Sequence, residues 1–535
     1  MKSIEIPYQQ EKGRRYRFFE MVPGLITWTI LFLPFVLSLV NPTLCVLLII
    51  TYLLLWFVKS MGLTVRSLQG FKVISEQMKL PWSQMLQELE SRKTSQPVKH
   101  IPAWHYENIR RLQEKAPVVE PSDMVHVLMI AAYNETRDVL EPTIQSVLES
   151  EYDMKKVIVV FAYEGRDGAQ SESAVKELVA EYGSQFMKTM AFRHPLTEGE
   201  VRGKGGNITY AARELAKYLE NEKIDPLRVI VTTLDSDNRP HKYYLPALSY
   251  LYTMAPDPAV VSFQPIPMYT NNIWDAPAPM RVIATGNTFW NVVLSMRPHM
   301  IRNFSSHAQS MKALIDTDFW SVRTIVEDGH QFWRTYFRYD GNHDVYPMYL
   351  PIYQDAVLSS TYRKTLKAQF IQIRRWAWGA SDVAYVLETG FFKPNKVPKL
   401  DMTFKLLRLL EGHISWATAP LLLAFAAFIP AFLNSDDFAS NQLPIIASRI
   451  QTIALVGIVS TLFLSLKLLP PKPARYKHHR TVFMVLQWIM LPATTILYNA
   501  LAALNSQTRL IFGWNLNKFD VTDKAVVKED KQKVM

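Results

Sequence analysis

Cysteine is almost absent from this chain: one of 535 residues, Cys45, and it stands inside an apolar run. An intramolecular disulfide is therefore excluded, and so is a CxxC-type metal site, which leaves oxygen and imidazole as ligands for any metal. Histidine offers little, because His330 has no second His or Cys at ligand spacing and reads as a structural or surface residue. No RNA- or DNA-binding motif accompanies the net charge of +11, which is spread over segments flanking apolar runs. That distribution points to anionic lipid headgroups and a diphosphate, with no nucleic acid partner. A secretory signal, the competing reading of the first apolar run, is not expected: the run follows Arg14, Arg15 and Arg17 without a small-residue cleavage pattern, and a second run comes at once.

What the chain has in quantity is apolar sequence gathered at its two ends. With 49% hydrophobic residues and 20% charged over 535 positions, it holds more than one domain and is unlike a simple soluble globule. Residues 24–40 and 43–60, separated by Asn41 and Pro42, are each close to the roughly 20 residues needed to cross a bilayer. They read as a transmembrane hairpin, with both ends inside because Lys12, Arg14, Arg15 and Arg17 precede it and Lys59 and Arg66 follow. Two more spans are expected at 414–433 and 445–468, joined by the acidic NSDDFASNQ and followed by the basic KPARYKHHR (472–480). Counting 481–503 as a full span would put the C-terminal tail outside, against the basic Arg509, Lys518, Lys524, Lys528, Lys531 and Lys533. We therefore expect 481–512, with Pro492 at its middle, to form a re-entrant or interfacial helical hairpin.

Between the spans the composition turns soluble. From 126 onward, β-branched runs (HVLMIAA, VIVVFAY, VIVTTLD, AVVSFQP) alternate with segments such as 137–150 and 207–222 that carry apolar residues at helical spacing. Continuous apolar strands of this kind are buried on both faces, so the succession predicts an α/β fold with a mostly parallel sheet covered by helices. In such sheets ligands bind at the carboxyl ends of the strands. The expected organisation is an N-terminal tail and hairpin (1–60), a cytosolic domain (61–400, core 126–380), a membrane-associated region with an interfacial helix, two spans and the hairpin (401–512), and a cytosolic tail (513–535).

The polar motifs fall at those carboxyl ends. Asp235 and Asp237 leave the strand 229–235 for a turn, and hard oxygen ligands suit Mg²⁺ or Mn²⁺, which in turn neutralise a diphosphate. Alone, such a pair is an ordinary solvated turn. Lys204-Gly205-Gly206-Asn207 opens a helix, so free amides, the dipole and a lysine converge where a phosphate can sit; a plain Gly-rich helix start explains the same residues. Tyr133 and Glu135 follow the first strand and Glu164 the second. Glu327 and Asp328 stand in VEDGHQFWRTYF, where burial favours a base of raised pKa, although an acidic helix start would look alike. Gln372, Arg375 and Trp376 share one helical face, a wall for a sugar and its phosphate or an interfacial anchor in which Trp376 and Trp378 meet headgroups.

From about 126 to 380 the order of an acidic pair, an ED acid and Q-x-x-R-W resembles the family 2 inverting glycosyltransferases of GT-A type, in the membrane-embedded branch of cellulose, chitin and hyaluronan synthases. KFDVTDK adds Phe519, Val521, Thr522 and Lys524, which match the F-x-V-T-x-K gating loop of bacterial cellulose synthases. The resemblance implies a Rossmann-like cytosolic domain in a multi-pass plasma-membrane protein. It implies that Asp235 and Asp237 serve nucleotide and metal binding, with Mg²⁺ or Mn²⁺, and that Asp328 is the general base. Tyr133, Glu135, Glu164 and Lys204 would line the UDP-sugar pocket, and Gln372, Arg375 and Trp376 would hold the diphosphate and the acceptor. The donor would be a UDP-sugar and the product a β-linked polysaccharide, with an accessory export subunit among the partners; a membrane-lipid acceptor and a catalytically silent scaffold are the alternatives. The chain departs from the family's pattern at Val326, where a Thr is usual, and at Glu164, where an Asp is usual.

Overall fold

The computed structural model describes residues 4–94, 101–165, 169–195 and 197–516. The gating-loop-like residues Phe519, Val521, Thr522 and Lys524 lie outside the described residues.

Eight strands form one sheet: β1 (Val125–Ala132), β2 (Val157–Glu164), β3 (Lys188–His194), β4 (Val229–Asp235), β5 (Arg239–Pro240), β6 (Val261–Met268), β7 (Ala308–Ser310) and β8 (Asp344–Tyr353). Their order is β3-β2-β1-β4-β7-β6-β8-β5. β3, β2, β1 and β4 are mutually parallel, and β6 is parallel to β8. Short β7 runs antiparallel to β4 and β6, and β5 runs antiparallel to β8. The expected α/β architecture with a mostly parallel sheet is what the chain forms.

The alternation of side chains along β1 explains how both faces are filled. Leu128 and Ile130 face one layer with Leu140 and Ile144 of the helix Arg137–Leu148. Val127 and Met129 face the other, with Ile208, Ala211 and Leu215 of the helix Lys204–Asn221. β2 is buried along its whole length, as its β-branched run requires.

Three helices among the described residues are long and apolar enough to cross a membrane: Arg14–Val40, Pro42–Gln77 and His479–Phe512. The first two are turned at Asn41, whose side chain accepts from the Leu44 amide at 3.0 Å, with Pro42 opening the second helix. Both are favoured choices at a helix start. The second runs on to Gln77, well past the apolar stretch. Cys45, Val46, Ile49 and Leu53 pack against Leu422, Ala426, Leu443 and Ala447, the last four belonging to the helices Lys399–Phe425 and Phe438–Leu468 and the turn after the first of them.

The hairpin expected over 481–512 is not formed. His479–Phe512 is one helical path of 34 residues, tightening to a 3₁₀ turn at Gln487–Met490 and widening to π turns at Thr495–Ala500. Pro492 sits between them. Such switches in winding absorb the amide that proline lacks without reversing the chain. Both ends touch the same domain: Arg480 donates to the Trp274 carbonyl at 2.7 Å, and Leu510 packs with Ile325, Val326 and Trp378. Between them, Arg281 donates to Gln487 at 2.5 Å. A straight run of this length would be roughly 50 Å long, more than a bilayer core requires; it packs on the domain at its two ends and on the first apolar helix, where Thr27 donates to Gln507 at 2.5 Å. Labelling checks this arrangement, because Cys45 is buried and gives a silent background: a cysteine at Asn515 should react from the same side of sealed vesicles as one at Ser91, and reaction from opposite sides would show that the run crosses.

Candidate functional site

The site is built where β1, β2 and β4 end side by side. Asp235 closes β4 and pairs in register with Ala131 of β1. Its Oδ1 accepts from Lys204 Nζ at 2.7 Å and its Oδ2 from Ser305 Oγ at 2.7 Å, while Lys204 also reaches Ser305 Oγ at 3.3 Å. Asn238 Oδ1 accepts both the Asp235 amide and Ser306 Oγ at 2.8 Å. Asp237 is buried, and its Oδ2 accepts the Asp355 amide at 2.9 Å. The D-S-D turn is therefore held on every side by the loop Phe304–Ser306 and the end of β8.

Lys204 is the first residue of its helix. Burial alone would lower its pKa, but the carboxylates of Asp235, Glu327 and Asp328 outweigh that and hold it above the usual lysine range. Glu327 opens the helix Glu327–Arg338, and the two helix starts touch. A Cβ at Gly205 would lie 2.6 Å from the Ser321 carbonyl and 3.2 Å from Glu327 Cβ, so only glycine permits this approach. Glu327 is buried, and desolvation followed by the neighbouring Asp328 pushes its carboxyl up to about 8. Asp328, half-buried, is also raised by desolvation; Lys204, the Gly329 amide at 2.7 Å and Arg375 restrain the shift.

Arg375 is thus brought to the acids from the helix Tyr362–Ala377. Trp376, next to it, lies with its ring 6.2 Å from that of Tyr269. Burial and then Asp235, Asp237 and Asp328 raise the Tyr269 hydroxyl's pKa, so this ring pair borders the acidic cluster. On the other flank, Ser236 Oγ donates to Glu135 Oε1 at 3.0 Å, and Glu135 also accepts the Tyr133 amide. Glu164 stands one strand further out, in register with His194. Gln372 shares the helix of Arg375 and accepts from Gln369 at 3.1 Å. Trp378 does not meet headgroups: it is buried against Ile325 and Val326. His330, as expected, is structural, bonded to Asp382 at 2.7 Å beneath the Tyr385 ring.

Sequence reasoning missed Ser305, Tyr269 and Asp355. None belongs to a motif, and only the fold carries them to the acids. Among the described residues no group of three or more His, Cys, Asp or Glu side chains forms a metal cage. Asp235 and Asp237 nonetheless place two carboxylates at one turn, hard oxygen donors of the kind that could hold a divalent cation.

No family model matches the chain, and no curated protein matches it. Among solved structures it is similar to the mannosyltransferase PcManGT from Pyrobaculum calidifontis in complex with GDP-Man and Mn²⁺, at 16% identity over 72% of this chain and 98% of that one, with a TM-score of 0.40. It is also similar to S. aureus TarS 1–349 in complex with UDP-GlcNAc, at 10% identity over 74% of this chain and 93% of that one, with a TM-score of 0.36.

The raised Glu327 carboxyl has a sign that can be measured. Its folded pKa lies above the ordinary value of 4.5, so the native state keeps a proton that the unfolded chain has lost. That contribution is full at low pH and fades as pH rises from about 4.5 through about 8. Across this window the thermal midpoint of the native protein should fall more steeply than that of Glu327→Gln; parallel curves would contradict the assignment.

Proposed function

We propose that the protein is a membrane-anchored inverting glycosyltransferase that passes a sugar from a UDP-sugar to the end of a growing β-linked polysaccharide, resembling the cellulose synthase branch of family 2. One observation carries the reading: Lys204, at a helix start, is bonded to Asp235 and lies in the field of Glu327 and Asp328, and Arg375 acts on Asp328 from a separate helix. Cations and free amides thus stand beside paired carboxylates at the end of a parallel sheet, the arrangement that a leaving diphosphate and an incoming hydroxyl both need.

In this reading the donor's diphosphate lies over the start of the helix Lys204–Asn221, with Lys204 and Arg375 balancing its charge. Asp235 and Asp237 would hold Mg²⁺ or Mn²⁺, which supplies further neutralisation of the diphosphate when bound. Tyr133, Glu135 and Glu164 line the nucleotide side. Trp376, with Tyr269 beside it, offers aromatic faces to the sugar, and Gln372 faces the acceptor. Asp328 is the base: partial burial raises its affinity for a proton toward what abstraction from a hydroxyl requires. The acceptor oxygen attacks the anomeric carbon as its proton passes to Asp328, the bond to the UDP oxygen breaks, and the electron pair leaves with UDP. One displacement inverts an α-linked donor to a β-linked product.

A second acceptor has an observation in its favour. A narrow crevice is lined by Tyr269, Thr270, Ile273 and Thr288 together with Ser465 and Leu468 of the helix Phe438–Leu468, so an apolar helix borders Tyr269 beside the acidic cluster. A single sugar added to a membrane lipid would use the same chemistry.

UDP release by the purified protein, measured over a panel of UDP-sugars with Mg²⁺ or Mn²⁺, tests the proposal. One donor should turn over in a metal-dependent way, and Asp328→Asn should reduce that rate at least about 100-fold, the scale of a lost general base. Product sizing then separates polymer from glycolipid. Full activity of Asp328→Asn would remove the assigned base, and no turnover of any nucleotide sugar would favour a silent scaffold.

A further inference from the structure

Two loops launch the helices that carry Lys204 and the Glu327–Asp328 pair, and both are gripped by the first residues of the chain. Glu5 Oε1 accepts from Ser321 Oγ at 2.5 Å, and Glu5 Oε2 accepts from Arg334 Nη1 at 2.9 Å. Arg334 belongs to the helix Glu327–Arg338 and is 1% exposed; its Nη2 donates to the Thr317 carbonyl at 2.6 Å. A guanidinium this deeply buried needs a counter-charge, and the counter-charge arrives from the N-terminus. Ile6 is buried in the cluster that contains Trp333, Phe337 and Tyr385, and its carbonyl accepts from Arg323 at 2.7 Å. The Arg323 guanidinium lies 3.3 Å from the centre of the Tyr8 ring, and Tyr385 donates to the Ile4 carbonyl at 2.7 Å.

The other loop is held in the same place. Tyr8 is so close to Gly199 that a Cβ there would lie 2.7 Å from its ring, and the Val201 amide donates to the Val322 carbonyl at 2.8 Å. Lys204 begins its helix just beyond Val201, and Glu327 begins its own just beyond Arg323. On the other side, residues 4–8 lead through the single turn Gln9–Glu11, Lys12 and Gly13 into Arg14–Val40, the first helix long and apolar enough to cross a membrane.

We propose that residues 4–8 form a strap that sets the relative placement of the two helix starts, with Glu5 as its positioning residue, so that the pose of the first apolar helix is mechanically linked to the carboxylate pair. The kinetic part of this inference rests on the transferase reading; the structural part does not. A positioning defect has a distinct signature: donor binding persists while the aligned transfer step slows.

The test uses the full-length protein in detergent, with Glu5→Ala, Glu5→Asp and, as a second way to loosen the strap, Tyr8→Ala. Glu5→Ala should lower kcat about ten-fold or more with donor KM within about two-fold, and Glu5→Asp should recover much of the loss. Amide hydrogen exchange gives a readout that needs no turnover: exchange over 321–330 should accelerate in Glu5→Ala, while exchange over β2 stays unchanged. If Glu5→Ala fails to fold, Tyr8→Ala should give the same pattern. Native kcat in Glu5→Ala, alongside an inactive Asp328→Asn, would overturn the strap and leave the transferase reading standing. If no donor turns over at all, the transferase reading fails, and exchange over 321–330 alone decides: acceleration supports the strap, and an unchanged profile overturns it.

Discussion

Four carboxylates, those of Asp235, Asp237, Glu327 and Asp328, share one end of the sheet, and the repulsion among Asp235, Glu327 and Asp328 is the constraint on which the site depends. Like charges this close cannot all ionise freely in a partly buried place. The structure meets the problem in three ways. Lys204 is planted among them and kept charged by three of them, Arg375 approaches from a separate helix, and Glu327 holds its proton to higher pH than a solvated glutamate. Helix starts at Lys204 and Glu327 add the positive ends of two dipoles. The sheet's topology makes this possible, because β4 lies next to β1 and delivers Asp235 beside the loop of Glu135.

The apolar layer is arranged with the same economy. The acidic cluster lies at the sheet's carboxyl edge, and the helix Tyr362–Ala377, which brings Arg375 to Asp328, packs on the helical run His479–Phe512. Arg281, Gln487, Arg480 and the Trp274 carbonyl form polar ties between domain and apolar run. Arg475 and Tyr476 add bonds to Asp275. These contacts tie the N-terminal part of a 34-residue apolar helix and the segment before it to the domain.

How much could be read beforehand depended on how locally each feature is encoded. β1, β2 and β4 were legible because burial on both faces demands unbroken β-branched runs. β3 was not: its Lys188, Arg193 and largely exposed pattern suit a sheet edge and carry no apolar signal. β8 contains Pro347 and Pro351, which argue against a strand, and a register shift beside β6 accommodates them. Within the site, the D-S-D turn, the K-G-G-N helix start and the ED pair announced themselves by residue type and position after strands. Ser305 and Tyr269 did not, because a serine in a loop and a tyrosine after a strand are ordinary until the chain folds them onto Asp235. Pro492 suggested a reversal, whereas local changes of helical winding took up its missing amide.

The contact at Gly205 has a consequence for how this site can vary. Elsewhere in the core, a lost methyl group on one side chain can be offset by a gained one on its neighbour, so packing drifts while volume is kept. At Gly205 there is no side chain to trade: its nearest neighbours are the Ser321 carbonyl, in the loop that leads to Glu327, and the Glu327 Cβ, so the approach of the two helix starts is set by bare main chain on one side and by that carbonyl and the first carbon of the Glu327 side chain on the other. The field felt by the carboxylate pair is thereby insulated from gradual change in the surrounding core, and the sheet and its helices can be rebuilt over generations around a separation that moves only if the backbone itself moves.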